Sequence, residues 1–364
     1  MIPLAIHGIG PVGAFGASLN EFRAALKGEK KVSPELIKIK TERGFSTLPL
    51  FRASTKTLTR FVKNRELRRL DHFSRMALLG ACQACEDAGQ TLIGERTGLI
   101  VASAYGASTT TFSFLDSVIK DGDALASPTL FSNSVHNAAA SHIAKHLKIT
   151  GPNLSLTQGK LSVSMALLTA AQWLAEGRVD TVLCGAVDEY CDVLGYCWQN
   201  YLYKKECPDD KNQPAPLENI GLGEGAVFFY LRRVENVRTP YAYLKKIDLD
   251  CTISSTLKSC NNEPLICTFM PCQKHSSSNI NQIENCFQFD ISKLYGTLPI
   301  AAAFDLAAAA TMLCEQTLYI SKPPQKPQTL PFSGAGIGCW QADSTTSRNP
   351  LTGSCYWITN HPDL

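Results

Sequence analysis

From Thr97 to Glu189 the chain alternates short apolar runs with small-residue helical stretches, and this alternation restricts the fold more than any other feature. TGLIVAS, residues 97 to 103, has strand length and no charge, and the small polar stretch from Ala104 to Thr111 after it reads as a loop. Leu154 to Leu156 is a short strand, Leu161 to Glu176 a helix rich in Ala and Leu, and DTVLCGA from Asp180 to Ala186 another apolar strand. Apolar runs without alternation belong to strands covered on both faces, so the order predicts an α/β domain with buried central sheets.

The surrounding chain continues the pattern. Leu67 to Gly89 opens on charge, carries apolar residues at helical spacing and ends in glycine, which predicts one long amphipathic helix with a glycine C-cap. GLGEGAVFFYLRR from Gly221 is a glycine turn, with φ > 0, feeding a strand. Tyr241 to Asp250 and Pro264 to Thr268 are further strands. Ala301 to Leu318 is apolar nearly all round, as suits a helix enclosed between layers. The proline-rich run 323–331 is a stiff connector before a last glycine-rich strand. A second half therefore begins near residue 240, giving halves 1–240 and 241–364, the latter short.

Composition excludes several classes. With 364 residues and 45% hydrophobic content the chain can fill a large core. Net charge is +3 with basic residues dispersed, which does not suggest nucleic acid as a partner. No apolar run reaches the length of a membrane span and no leader is evident, so a cytoplasmic protein is expected. The 14 cysteines are scattered and read as free buried thiols. Cys251, Cys260, Cys267 and Cys272 lack the paired spacing of zinc sites, so no metal and no cofactor is expected. GLGEGA lacks phosphate-loop spacing and precedes a strand.

Four segments in order carry a family resemblance: RRLDHFSRMAL (68–78), SPTLFSNSVHNAAASHIAKHLKITGPN (127–153), the stretch from Gly151 to Glu189, and GLGEGA (221–226). Together they resemble the β-ketoacyl synthases of the thiolase superfamily. The resemblance implies a thiolase-like layered αβαβα fold of two pseudo-repeated halves, the second shortened, whose sheets stack with buried helices between.

In that family the turn heading the Ala-rich helix presents a cysteine that accepts the acyl chain, activated by the helix N-terminus and an oxyanion hole. Counting forward from Gly151 or back from Gly177 places Lys160 there. The family's Lys-Ser-x-x-Gly-His signature corresponds to Lys293-Leu294-Tyr295-Gly296-Thr297, with Thr297 in the histidine's place and Lys293 one position closer to the glycine. The other family histidine is missing near Met270 to Gln273, although His275 in HSSSN could belong to a distorted version of its loop. The closing FSGAGIG, from Phe332, lacks the family's gating phenylalanine.

The resemblance therefore implies a subunit with no intact catalytic residues, acting as a chain-length factor. It would form a heterodimer with an active β-ketoacyl synthase that condenses malonyl units on acyl carrier protein, the carrier being met mainly through the partner. The SVHNAA segment resembles the chain-length factors of aryl polyene clusters. Phe131, Asn133, Ser134, His136 and Asn137 fall on the implied dimer contact and acyl tunnel, with structural roles expected for His136 and Asn137. Lys160 has two readings: a plug paired with Asp188 or Glu189, or a lowered-pKa amine that reacts. The second leads to the alternative function, a stand-alone acyl-thioester decarboxylase or hydrolase using Lys160 or His275. A pure scaffold with no influence on the product is a third reading.

Overall fold

The computed structural model describes residues 1–42, 44–90, 94–206, 221–234, 240–252, 265–268, 291–319, 328–329, 336–342 and 352–361. His275, Cys260, Cys272 and residues 332–335 lie outside them, as do the side chains of Cys251 and Cys267.

The strands are β1 (Leu4–Val12), β2 (Glu35–Thr41), β3 (Gly44–Phe51), β4 (Thr97–Ser103), β5 (Asn153–Thr157), β6 (Thr181–Asp188), β7 (Leu222–Gly223), β8 (Gly225–Arg233), β9 (Ala242–Thr252), β10 (Leu265–Thr268), β11 (Thr317–Leu318), β12 (Gln328–Thr329), β13 (Gly336–Ala342) and β14 (Thr352–Thr359). The helices are α1 (Leu19–Leu26), α2 (Asn64–Leu67), α3 (His72–Asp87), α4 (Ser108–Asp121), α5 (Pro128–Ser134), α6 (Ala138–Leu147), α7 (Ser162–Ala175), α8 (Asp192–Glu206) and α9 (Ala301–Glu315).

Strands β5, β4, β6, β8 and β1 form the sheet of the first half, and β9, β14, β13 and β10 that of the second. The two are one hydrogen-bonded sheet, because Leu4 to Ile6 of β1 pairs with Ala242 to Leu244 of β9. The seam joins the two sheets at their edges. The seam is short, and the layering survives it. Helix α7 packs on β4, β5 and β6 and touches β9, while α9 packs on β9, β10, β13 and β14 and touches β1 and β8. Both helices share one apolar core with strands of both halves. Helix α3 covers the opposite face of β1, β8 and β6. Four of the five expected layers can thus be named among the described residues.

Local chemistry explains the elements. Strands β4 and β6 are buried at every position, as their apolar runs require, with Asp188 closing β6 as a buried carboxyl. Helix α9 is enclosed from Ala301 to Leu313, and its alanines let strands approach from several sides. Helix α3 begins at His72 rather than near Leu67, because Asp71 accepts the Ser74 N–H at 2.9 Å and caps it there. It ends as its glycine suggested: Gly89 has φ +68, its N–H donates to Glu86 and that of Gln90 to Cys85. The close fit of α3 on β1 uses glycines on both sides, since a Cβ on Gly10 would lie 1.9 Å from the Gly80 carbonyl oxygen.

Three more expectations are corrected. The stretch after β4 is a loop only to Ala107, and α4 begins at Ser108. The helix from Ala301 stops at Glu315, because Gln316 turns left-handed at φ 52 and opens β11. Not every described cysteine is buried: Cys197 and Cys314 are exposed.

Candidate functional site

The turn at the head of α7 is built from Gly159, Lys160 and Leu161, with Gly159 at φ +57. Ser162 pins it: its hydroxyl accepts the Gln158 N–H at 2.8 Å and lies 2.9 Å from the carbonyl oxygen of Ser103, at the end of β4. Lys160 is therefore presented at the carboxyl edge of the parallel strands.

Thr297 reaches the same place from the second half. Gly296 takes φ +76, Thr297 N–H donates to Gly221 at 2.8 Å, and Gly223 N–H donates to Thr297 at 3.0 Å. A Cβ on Gly223 would stand 1.8 Å from the Tyr295 carbonyl oxygen, so glycine is needed there for close approach. The positive φ expected of GLGEGA is found instead at Gly296. Behind the turn, Tyr295 stacks on Phe304 at 4.6 Å, and its hydroxyl donates to the buried Asp305 at 2.7 Å.

Between the two turns lies a cavity of about 260 Å³, lined by Lys160, Thr297, Tyr105, Asp188, Glu189 and Cys197 among others. Asp188 and Glu189, at the end of β6, are both buried. Asp188 accepts from the Ser103 hydroxyl at 2.6 Å and from the N–H groups of Ala104 and Tyr105 at 3.0 and 3.2 Å. Burial still pushes its pKa up to about 6. Glu189 accepts the Thr109 N–H at 2.8 Å. Burial, aided by the charge of Asp71 and opposed by that hydrogen bond and by His72, pushes its pKa up to about 7.

Glu224, of GLGEGA, is buried and holds the neighbourhood together. It accepts from the N–H groups of Ala53 at 3.0 Å and Tyr190 at 3.2 Å and pairs with His72 at 2.9 Å. Burial opposes the His72 imidazolium, but the hydrogen bond and charge of Glu224 outweigh it and raise the pKa.

The cavity's thiol belongs to Cys197, on α8, and not to the α7 turn. Sequence reading passed over it, although Leu194, Cys197 and Trp198 stand at helical spacing and all three line the cavity. Cys184 is sealed inside β6, its pKa pushed up to about 12 by burial. Lys293 is exposed in the 3₁₀ turn Ser292–Leu294, away from the cavity lining.

The segment expected to meet a partner divides. Phe131 is 57% exposed and rests against Phe114 at 5.4 Å. Helix α4 adds Phe112, Leu115 and Ile119, all exposed, with Leu125 beyond them. Their spacing puts the three on one face of α4, a stripe that sequence reading missed by taking its root as loop. Asn133, by contrast, is buried within the subunit, donating to the Arg69 carbonyl at 2.9 Å and meeting His142 at 3.1 Å. The Ser134 hydroxyl donates to the Phe131 carbonyl at 2.9 Å, and His136 packs over Gly106, whose φ is +67. Asn137 precedes α6, its carbonyl accepting from the Ser141 hydroxyl at 2.9 Å. Among the described residues no group of three or more metal-binding side chains gathers, and no helix is long and apolar enough to cross a membrane.

Residues 48–208 match the β-ketoacyl synthase N-terminal domain. The chain is 29% identical over 199 residues to putative polyketide beta-ketoacyl synthase 1 of Streptomyces virginiae, covering 50% of this chain and 46% of that one. It is 21% identical over 187 residues to 3-oxoacyl-[acyl-carrier-protein] synthase 2 of Vibrio cholerae, covering 49% and 45%. The alignments thus span about half the length of these curated relatives. Among solved structures, the ishigamide ketosynthase/chain length factor superposes with a TM-score of 0.73 at 16% identity, covering 99% of both chains. The ketosynthase ApeO in complex with its chain length factor ApeC, from Xenorhabdus doucetiae, gives 0.71 at 13% identity and 98% of both. Residues 48–208 are thus similar to the N-terminal domain of β-ketoacyl synthases, and the chain has the fold of the solved ketosynthases.

Proposed function

We propose that this chain is a chain-length-factor-like subunit without condensing activity of its own. It pairs in the cytoplasm with an active β-ketoacyl synthase that extends acyl chains with malonyl units on acyl carrier protein. The observation that carries this reading is Lys160, which stands on the α7 turn where the resemblance places an acyl-accepting thiol. A lysine cannot form the thioester that passes a chain onward, and a cation at a helix N-terminus has the wrong sign to be stabilised there. The carboxyl groups of Asp188 and Glu189 in the same cavity wall make a cation tolerable, which suits a plug. Thr297, across the cavity, has no imidazole to move a proton or steady an enolate. Pairing is supported by the exposed apolar residues of α4, Leu125 and Phe131, which a lone soluble subunit would expose at a cost. Phe131 and its neighbours would then help to shape the partner's acyl tunnel. The SVHNAA segment favours an aryl polyene pathway.

The test is co-expression with an active ketosynthase from the same source, followed by size analysis and malonyl-carrier extension by each component alone and together. A one-to-one complex that alone extends chains supports the proposal. Consumption of an acyl or malonyl thioester by this chain alone refutes it.

A further inference from the structure

Helix α4 carries the exposed apolar stripe, yet it has no side-chain cap of its own. Its N-cap residue is Ala107, which offers no acceptor. The acceptor comes from the end of β6: Glu189 takes the Thr109 N–H at 2.8 Å, in the first turn of α4. The Thr109 hydroxyl donates to the Tyr190 carbonyl at 3.1 Å, and the Thr110 hydroxyl to Asp71 at 2.9 Å. Asp188 holds Ser103, Ala104 and Tyr105 just upstream. The root of α4 is therefore fastened by the consecutive residues Asp188, Glu189 and Tyr190, with Asp71 of the α3 cap assisting. A carboxylate is the favoured group at a helix N-terminus, both as acceptor and as charge.

We infer that Glu189 is the positioning residue of the partner-facing surface: it caps α4 from the cavity wall and so sets the direction in which Phe112, Leu115 and Ile119 are presented. The inference rests on the pairing proposed above. It gives the cavity wall a present use, because the carboxylate that lines the cavity beside Lys160 is also the one that holds the association helix. The charged groups around it are Asp71, which caps α3, His72 of α3, Asp188 next to it on β6, Lys160 in the same cavity lining, and Arg52 and Glu224 behind His72.

Two substitutions separate capping from bulk. Glu189→Gln keeps an acceptor for Thr109 and loses the charge, whereas Glu189→Leu loses both. The affinity of each variant for the ketosynthase that pairs with wild type would be measured by sedimentation at about pH 6 and pH 8, with hydrogen exchange of the α4 amides in this chain alone. Glu189→Leu should bind about tenfold more weakly and exchange faster in the first turn of α4. Glu189→Gln should stay close to wild type. The Thr109 bond favours the anion, so wild type should bind more tightly at the higher pH, and Glu189→Gln should lose that difference. If Glu189→Leu does not fold, Thr109→Pro removes the donor at a helix position that accepts proline and should weaken binding similarly. A folded Glu189→Leu or Thr109→Pro that binds like wild type, or a full pH difference retained in Glu189→Gln, overturns the inference while pairing stands. Failure of wild type to bind the ketosynthase overturns the pairing itself and this inference with it.

Discussion

Ser164 on α7 and Tyr356 on β14 share a buried hydrogen bond of 2.5 Å, which ties the helix behind the Lys160 turn to the last strand of the chain. With the common core around α7 and α9, this bond makes the two halves one cooperative unit. Tyr356→Phe strips Ser164 of this partner and should cost about 1–3 kcal/mol. Ser164→Ala should cost a similar amount, and the double variant less than the sum. Urea unfolding with a coupling analysis checks this. Two separate transitions for residues of the two halves would contradict it.

Gly223→Ala tests the contact that seats Thr297. The added methyl would meet the Tyr295 carbonyl oxygen at 1.8 Å, and backbone on both sides leaves little room to relax. A loss of about 3 kcal/mol is expected, seen as a lower melting temperature. Gly28→Ala is the control. Gly28 meets nothing within 4 Å of an added Cβ but has φ +75, so the change there should cost only the backbone strain of a left-handed residue, about 1–2 kcal/mol.

Much of this architecture was readable from sequence because it rests on local pattern. Strand β4 begins and ends where its uncharged run does, and α7 and α9 fall within a residue or three of their apolar periods. What sequence hid depends on distant partners. Helix α4 is capped by Glu189, 80 residues away in sequence from Thr109, so nothing within Ala104 to Thr111 marks a helix start and the stretch reads as loop. Asn133 looked like a contact residue but is spent on Arg69 and His142. The convergence of Lys160 and Thr297 on one cavity followed from the family resemblance and from no pattern of spacing. Cys197 reaches the cavity from α8, a separate element, so no pattern around the α7 turn marks it.

Asp188 and Glu189 should leave a mark on stability. Their folded pKa values, about 6 and about 7, lie above the ordinary carboxylate values of 3.8 and 4.5. The folded state therefore holds protons that the unfolded chain has released, and stability attributable to these groups is lost as pH rises through the folded values. Glu189→Gln removes one such titration. Its stability relative to wild type should improve progressively from about pH 4.5 to about pH 7 and level off above, read by denaturant unfolding across that range. A constant difference over the range would mean that Glu189 is not held against its ionisation.

Lys160→Ala distinguishes the plug from a reactive amine. In the assembled pair the extension rate should change by less than about threefold, under 1 kcal/mol in barrier terms. The chain alone should have no thioester turnover to lose. Turnover by wild type alone that disappears in Lys160→Ala would assign the amine a chemical role.

Ile119 provides the cleanest test of the association face because it does so little inside the subunit. It is 80% exposed, on the same face of α4 as Phe112 and Leu115. Ile119→Glu should therefore leave the isolated chain's stability within about 0.5 kcal/mol of wild type. A carboxylate driven into an apolar contact is different: it must shed water without a partner, and pairing should weaken by about 2 kcal/mol or more. Size analysis of the co-expressed pair reads the effect, with Lys38→Glu on the exposed face of β2 as a charge control. If Ile119→Glu and Lys38→Glu leave pairing equally intact, the ketosynthase is bound by some other surface, and the stripe on α4 has no part in pairing.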